Sequence, residues 1–216
     1  VIEVNACLTA EGNSDYDFLP ILLERALNRV CLPHSLRVAP VQVLRVSVQD
    51  SESKHQAVCR VAEAAVSGMT LLFYHYDGSA NPSREEKKYW DPLVQKWRAF
   101  GLARPLVRVV PVREMESWAL SDLDVLRRIS GSSWDSGGVF EADRLGRVES
   151  LSDPKRTLSD IVACGKRRRR AGRQAGDYLA LIAETMSLEH LEGVPSFRRW
   201  QVETLEALRE VRLIRD

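Results

Sequence analysis

The run Leu71-Leu72-Phe73-Tyr74-His75-Tyr76, closed by Asp77-Gly78-Ser79, constrains the fold more than any other stretch of the chain. It is short, rich in aromatics, and ends at a carboxylate and a turn signal. A run of this kind reads as a fully buried strand. In an open parallel sheet, ligands bind beyond the carboxyl ends of the strands, which is where Asp77 stands. Two other predicted strands end the same way. Glu11 follows Val1–Thr9, and Glu114 and Glu116 follow Pro105–Val112.

The flanking pattern alternates strand with helix. After the turn at Ala10–Asp15, where Ser14 or Asp15 can cap, helical spacing of Phe18, Leu19, Leu22, Leu23, Ala26, Leu27 and Val30 predicts a helix over Asp15–Val30. Val41–Val48 alternates as a second strand, Ser53–Ser67 is a helix, and Met69–His75 is the third strand. Ser83 and Glu86 have capping-box spacing, with Pro82 just outside, for a helix that Gly101 stops. Leu106–Val112 is the fourth strand, and Glu114–Leu120 opens another helix. Ser121 and Asp124 form a second capping box before Leu123–Ile129. Residues 130–152 read as a surface loop, and from Asp153 onward only helices follow, the last over Pro195–Arg212.

This order defines an α/β fold. A mainly parallel, Rossmann-like sheet is flanked by helices, with a core over about residues 1–130 and a C-terminal helical extension over about 153–216. At 216 residues, one domain with one good core is expected. A hydrophobic content of 44% with 28% charged residues fits a soluble protein. No apolar run approaches membrane-spanning length and no signal-peptide pattern opens the chain, so the expected location is the cytoplasm. Cys7, Cys31, Cys59 and Cys164 lack the spacing of a zinc site and are expected to be reduced thiols.

The net charge is only +1, but Lys166, Arg167, Arg168, Arg169, Arg170 and Arg173 concentrate positive charge on an otherwise acidic chain. Such a run suits nucleic-acid phosphates; a solvated stretch or a contact to an acidic partner are the alternatives. Carboxylates gathered at one sheet edge suit Mg²⁺ or Mn²⁺, which prefer oxygen ligands. Each alone could equally be an ordinary acid favoured by a helix N-terminus. His75 shares a strand face with Asp77 and is either a satisfied core histidine or a neighbour of the metal. Trp118 is expected to pack in the core, with base stacking as the alternative.

Four segments carry a resemblance. They are Leu8-Thr9-Ala10-Glu11-Gly12-Asn13-Ser14-Asp15, Phe73-Tyr74-His75-Tyr76-Asp77-Gly78-Ser79, Pro111–Asp122 with Glu114-Met115-Glu116-Ser117-Trp118, and the landmarks Asp153-Pro154-Lys155 and Pro195-Ser196-Phe197. Together they resemble a TOPRIM-like bacterial family of unknown function, related to the nuclease domains of overcoming-lysogenization-defect proteins. The resemblance implies a metal-dependent nuclease or phosphoryl-transfer subunit. Glu11, Asp77 and Glu116 would be catalytic, and Glu11, Asp77, Glu114 and Glu116 metal ligands. It also implies DNA or RNA as substrate, bacterial defence as the setting, and an ABC- or SMC-type ATPase as a partner. The family's Asp-x-Asp places its second acid on Ser79; slid back by two, it places its first on His75. Asp15 or Asp122 could compensate. The alternative is a catalytically degenerate subunit that binds nucleic acid or the ATPase.

Overall fold

The computed structural model describes residues 2–130, 147–166 and 176–215. The chain opens with β1 (Glu3–Val4) and β2 (Ala6–Thr9), then α1 (Asn13–Cys31). A 3₁₀ turn leads to β3 (Arg37–Val38) and β4 (Gln42–Val43), followed by α2 (Lys54–Ala65) and β5 (Leu71–His75). Next come α3 (Pro82–Glu85), a π-helical turn at Glu86–Trp90, α4 (Asp91–Ala99) and β6 (Leu106–Val109). Only helices follow among the described residues. They are α5 (Glu116–Ala119), α6 (Leu123–Ser130), α7 (Pro154–Lys166), α8 (Gly176–Thr185), α9 (Leu188–Glu192) and α10 (Pro195–Glu210), with a 3₁₀ turn at Val148–Ser150.

The main sheet has the order β4-β2-β5-β6 and is parallel throughout; β1 pairs with β3, also in parallel. The chain adds strands on one side of β2 and then crosses to the other. The strand order therefore reverses between β2 and β5, the place where such sheets bind ligands. All five residues of β5 are buried. Leu71 and Phe73 join the core under α1 and the C-terminal helices, whereas Leu72, Tyr74 and Tyr76 pack with Val58, Cys59 and Ala62 of α2 and Leu93 and Trp97 of α4. Coverage on both faces is why this strand shows no polar alternation.

The C-terminal helices complete the first of these layers. Helix α8 lies along α1 and α10 along β6. Phe73 and Trp200 place ring centroids 5.6 Å apart, and Trp118 meets Phe197 edge-on at 5.3 Å. Trp118 is fully buried and its indole donates to Ser196 Oγ at 2.8 Å, so it is a core residue and no stacking platform. Arg25 of α1 donates to the carbonyls of Ala183 and Met186, satisfying orphan acceptors at the end of α8.

Several expected boundaries shift. Val41–Val48 yields only a two-residue strand, because β2 ends at Thr9 and Leu44 N–H takes the last partner, Leu8 O. Helix α1 starts at Asn13 with Gly12 as its cap, and Asp15 closes the box as the third helical residue. Asn81, and not Ser83, caps α3 by accepting from Arg84 N–H, which moves Pro82 inside to the first helical position. Gly101 stops α4 with φ 68°. Cys7, Cys31 and Cys59 are free and buried.

Gly78 holds the turn after β5 against the chain leaving β6. Its N–H donates to Pro111 O at 2.9 Å, and a Cβ there would fall 2.7 Å from that oxygen. Gly78→Ala must push the two segments apart. Urea unfolding is expected to show a loss of about 1–3 kcal/mol, the usual range for overpacking.

Candidate active site

Parallel strands deliver their carboxyl ends, and the helices that follow deliver their N-termini, to one edge. Glu11, Asp77 and Glu114 with Glu116 all follow strands of this sheet, so the chain places them along that edge. The positive ends of the helix dipoles favour acids there.

His75, the last residue of β5, is the centre of the arrangement. Its Nδ1 lies 2.8 Å from Val109 O on β6. A carbonyl only accepts, so Nδ1 carries a proton. Its Nε2 then faces Asp15 Oδ2 at 3.6 Å and Asp77 Oδ1 at 3.7 Å. Burial alone would push the imidazole down. The hydrogen bond and charge of Asp15, followed by the charge of Asp77, outweigh it and hold His75 above its ordinary value. For Asp15, burial acts upward, but His75 and the backbone N–H groups of Gly12 and Glu11 win and hold the carboxyl low. The Gly12 N–H donates to Asp15 Oδ2 at 2.7 Å. Asp15 thus favours the charged form of the buried imidazole, and the ring is presented to a second carboxylate.

That second carboxylate, Asp77, is half exposed, yet desolvation by the surrounding protein pushes it up to about 6. His75 opposes this rise, while Asp15 and Glu114 add to it. Glu116 is buried at the first turn of α5. Burial raises its carboxyl first; its own backbone and Lys155 counteract, and Glu114 and Asp77 raise it further. Glu114 Oε2 accepts from Lys155 N–H at 3.3 Å, in the first turn of α7. Glu114 therefore acts on both Asp77 and Glu116, and Asp77 on Glu116. Among the described residues, no three carboxylate, imidazole or thiolate groups are arranged to hold a cation by themselves.

Glu11 stands apart from this group. It pairs with Lys54 at the start of α2, and its charge acts on Tyr74 and His55 on the other side of the sheet. Ser79 is built into a turn. With φ 45°, it forms an antiparallel bridge to Arg113, itself at φ 68°. Its hydroxyl accepts from Asn81 N–H at 3.4 Å and lies 3.5 Å from Glu85 Oε1. Asp122 does not join the cluster either. It is buried and accepts from the N–H groups of Asp124, Val125 and Ser187 at 2.9, 3.2 and 2.7 Å, capping α6 and tying down the start of α9. This also replaces the expected cap at Ser121. Of the two acids expected to compensate for Ser79, only Asp15 reaches the site.

The basic positions Arg167, Arg168, Arg169, Arg170 and Arg173 lie outside the described residues, as does the side chain of Lys166. The backbone of Lys166 closes α7. Since α7 starts beside Glu114, its far end lies about 17 Å along the helix axis from the acids, at 1.5 Å per residue.

Sheet order and acid placement define a mainly parallel α/β protein with a group of carboxylates at the carboxyl edge of its sheet. The chain belongs to the family described as Domain of unknown function (DUF4276), whose model matches residues 10–206, a span that holds every acid of this group. No curated protein and no solved structure matches it. Among the described residues, no helix is long and apolar enough to cross a membrane.

Proposed function

We propose that this acid cluster is the catalytic site of a Mg²⁺- or Mn²⁺-dependent enzyme that hydrolyses phosphodiester bonds of DNA or RNA. The observation that carries the reading is Asp77, half exposed and raised to about 6, held between the Asp15–His75 pair and the acids Glu114 and Glu116. A carboxyl of that kind exchanges its proton near neutral pH, as a general base must. Asp77 takes the proton of an attacking water as its oxygen bonds to phosphorus. Glu116, biased by burial toward its protonated form, gives a proton to the oxygen that leaves. Both groups then re-equilibrate with solvent.

The donor set fits a hard cation in chemistry. All three acids offer oxygen, and their mutual repulsion is what a positive ion relieves. Glu114 and one oxygen of Asp77, completed by oxygens of the substrate phosphate, would hold it, and it would supply charge stabilisation at the phosphoryl oxygens. Because the described residues do not close a cation site unaided, its affinity should depend on oxygens that the substrate phosphate brings. The resemblance of the Glu11, Asp77 and Glu114–Trp118 segments to TOPRIM-like nuclease domains supports the same chemistry. In this reading the run Lys166–Arg173 draws in the substrate backbone. The setting is cytoplasmic bacterial defence, beside an ABC- or SMC-type ATPase.

One observation favours a second reading. Ser79 stands where the resemblance calls for a carboxylate and is committed to its turn, which suits a degenerate subunit that binds nucleic acid or the ATPase without cutting. Plasmid DNA and transfer RNA incubated with the protein separate the two. Cleavage with Mg²⁺ or Mn²⁺ that EDTA abolishes is the expected result. Intact substrates with both ions, alone and with any co-purified ATPase, would establish the non-catalytic subunit.

A further inference from the structure

On the α2 side of the sheet, across from His75, three buried polar atoms have no hydrogen-bond partner. They are Thr9 Oγ1, Tyr74 Oη and His55 Nε2. Thr9 is the last residue of β2 and pairs in register with Tyr74 of β5, so the two side chains are neighbours at the switch point. Both residues are only 1% exposed. Buried hydroxyls almost always find partners, and two orphans on paired residues at a ligand-binding edge call for an occupant.

Charge is arranged around them. Val58, Cys59 and Ala62 of α2 pack on the same sheet face as Tyr74, and burial, then the charge of Glu11, hold the Tyr74 phenol above its ordinary value. Glu11 in turn pairs with Lys54, the first residue of α2. Lys54 lies 5.9 Å and Lys88 4.5 Å from the centre of the Tyr89 ring. Two unpartnered hydroxyls thus lie on the sheet face that α2 covers, and an ammonium group stands at the start of that twelve-residue helix. Each of these favours an anion with several oxygens. Glu11 opposes it, as Glu85 does at Lys88, and the pair of Glu11 with Lys54 is partly exposed, the kind of ion pair that opens at little cost.

We propose that Thr9, Lys54 and Tyr74 form a phosphate-binding subsite beside the acid cluster, with Glu11 covering Lys54 until phosphate displaces it. The proposal rests on the reading of the acid cluster as a phosphodiester hydrolase site and gives Glu11 a gating role in place of a metal ligand's. The simplest rival is a trapped water, which would satisfy the hydroxyls and leave Lys54 without a part.

Calorimetric titration with inorganic phosphate, a nucleoside 5′-monophosphate and a short 5′-phosphorylated oligonucleotide tests it, on the wild type and three variants. Lys54→Met should weaken phosphate binding by about tenfold or more, the loss of one charged hydrogen bond. Glu11→Gln should tighten it, because Lys54 is freed. Tyr74→Phe should weaken it while raising the melting temperature without ligand, since an unpartnered buried hydroxyl is removed. Oligonucleotide binding tighter than that of free phosphate would identify the occupant as a nucleic-acid phosphate; equal binding would identify a site for small phosphoesters, and both support the subsite. No phosphate binding, or binding indifferent to all three substitutions, overturns it. Neither of those failures touches the role of Asp77, which cleavage reads separately.

Discussion

Exchanging Asp77 for Asn should lower the rate of phosphodiester cleavage by about 10²–10⁴-fold, the usual contribution of a positioned acid or base. The amide keeps the size and shape of the side chain but cannot take a proton from water. It also removes one of the oxygens available to a cation. Folding should survive, because Asp77 is half exposed and its charge is opposed by Asp15 and Glu114. Removing that charge relieves repulsion, so the melting temperature of Asp77→Asn should equal or exceed that of the wild type. A slow variant that is also less stable would point to damage, and a fast variant would remove Asp77 from the chemistry. Glu116→Gln should act in the same direction. Ser79→Asp provides the contrast. Its new carboxylate would sit beside Glu85 and not with the acids of the cluster, so cleavage should stay within a few-fold of the wild type. A large gain would show that position 79 is a vacant ligand position after all.

The readable parts of the fold were those in which one local pattern serves one environment. The Leu71–His75 run has apolar residues on both faces because α1 covers one and α2 with α4 the other. The same logic located α1, α2 and α10 from their spacing. Short or edge elements were poorly legible. Alternation over Val41–Val48 looks like a strand, but a ladder needs a neighbour and β2 runs out. Helix α9 has five residues, too few for a period to show. Caps were misplaced by one to three positions, since several adjacent Ser, Asp and Asn residues can each do the task and packing chooses among them.

The site was legible as a set of strand-end acids, not as an arrangement. Asp15 was visible only as a cap or a spare acid; its meeting with His75 depends on how α1 lies over β5. Glu11 looked equivalent to Asp77 because both follow strands, yet it pairs with the cation at position 54, at the start of α2. Nothing in the sequence marks Lys54, and the orphaned hydroxyls of Thr9 and Tyr74 become evident only from register and burial. Asp122 looked like a candidate ligand, but three backbone N–H groups occupy it.

Replacing His75 by leucine should be among the most destabilising single changes in the chain. It leaves the buried Asp15 carboxylate with the Gly12 N–H but without its cationic neighbour, and leaves Val109 O only the long bond from Tyr76 N–H at 3.4 Å. Breaking a buried charge pair from one side costs about 3–5 kcal/mol. At this chain length that corresponds to a fall in melting temperature on the order of 10 °C. The effect should depend on pH, with a sign set by the shifts. His75 is raised in the folded protein, so its stabilisation is full below its unfolded value of 6.5 and disappears as pH climbs through the higher folded value. Asp15 is lowered, so its contribution is present above its unfolded value of 3.8 and is lost as pH falls through the folded value. Asp77 works against stability as it ionises, between 3.8 and about 6. The gap between wild type and His75→Leu should therefore be widest at about pH 5–6 and should narrow as pH climbs through the raised folded value of His75. Thermal melts across that range measure it directly. A gap that stays constant would mean that His75 is neutral throughout, held by Val109 alone, and that the charge between Asp15 and Asp77 is absent. The double variant His75→Leu with Asp15→Leu should recover part of the loss, because an apolar pair can replace a buried ionic one at little cost.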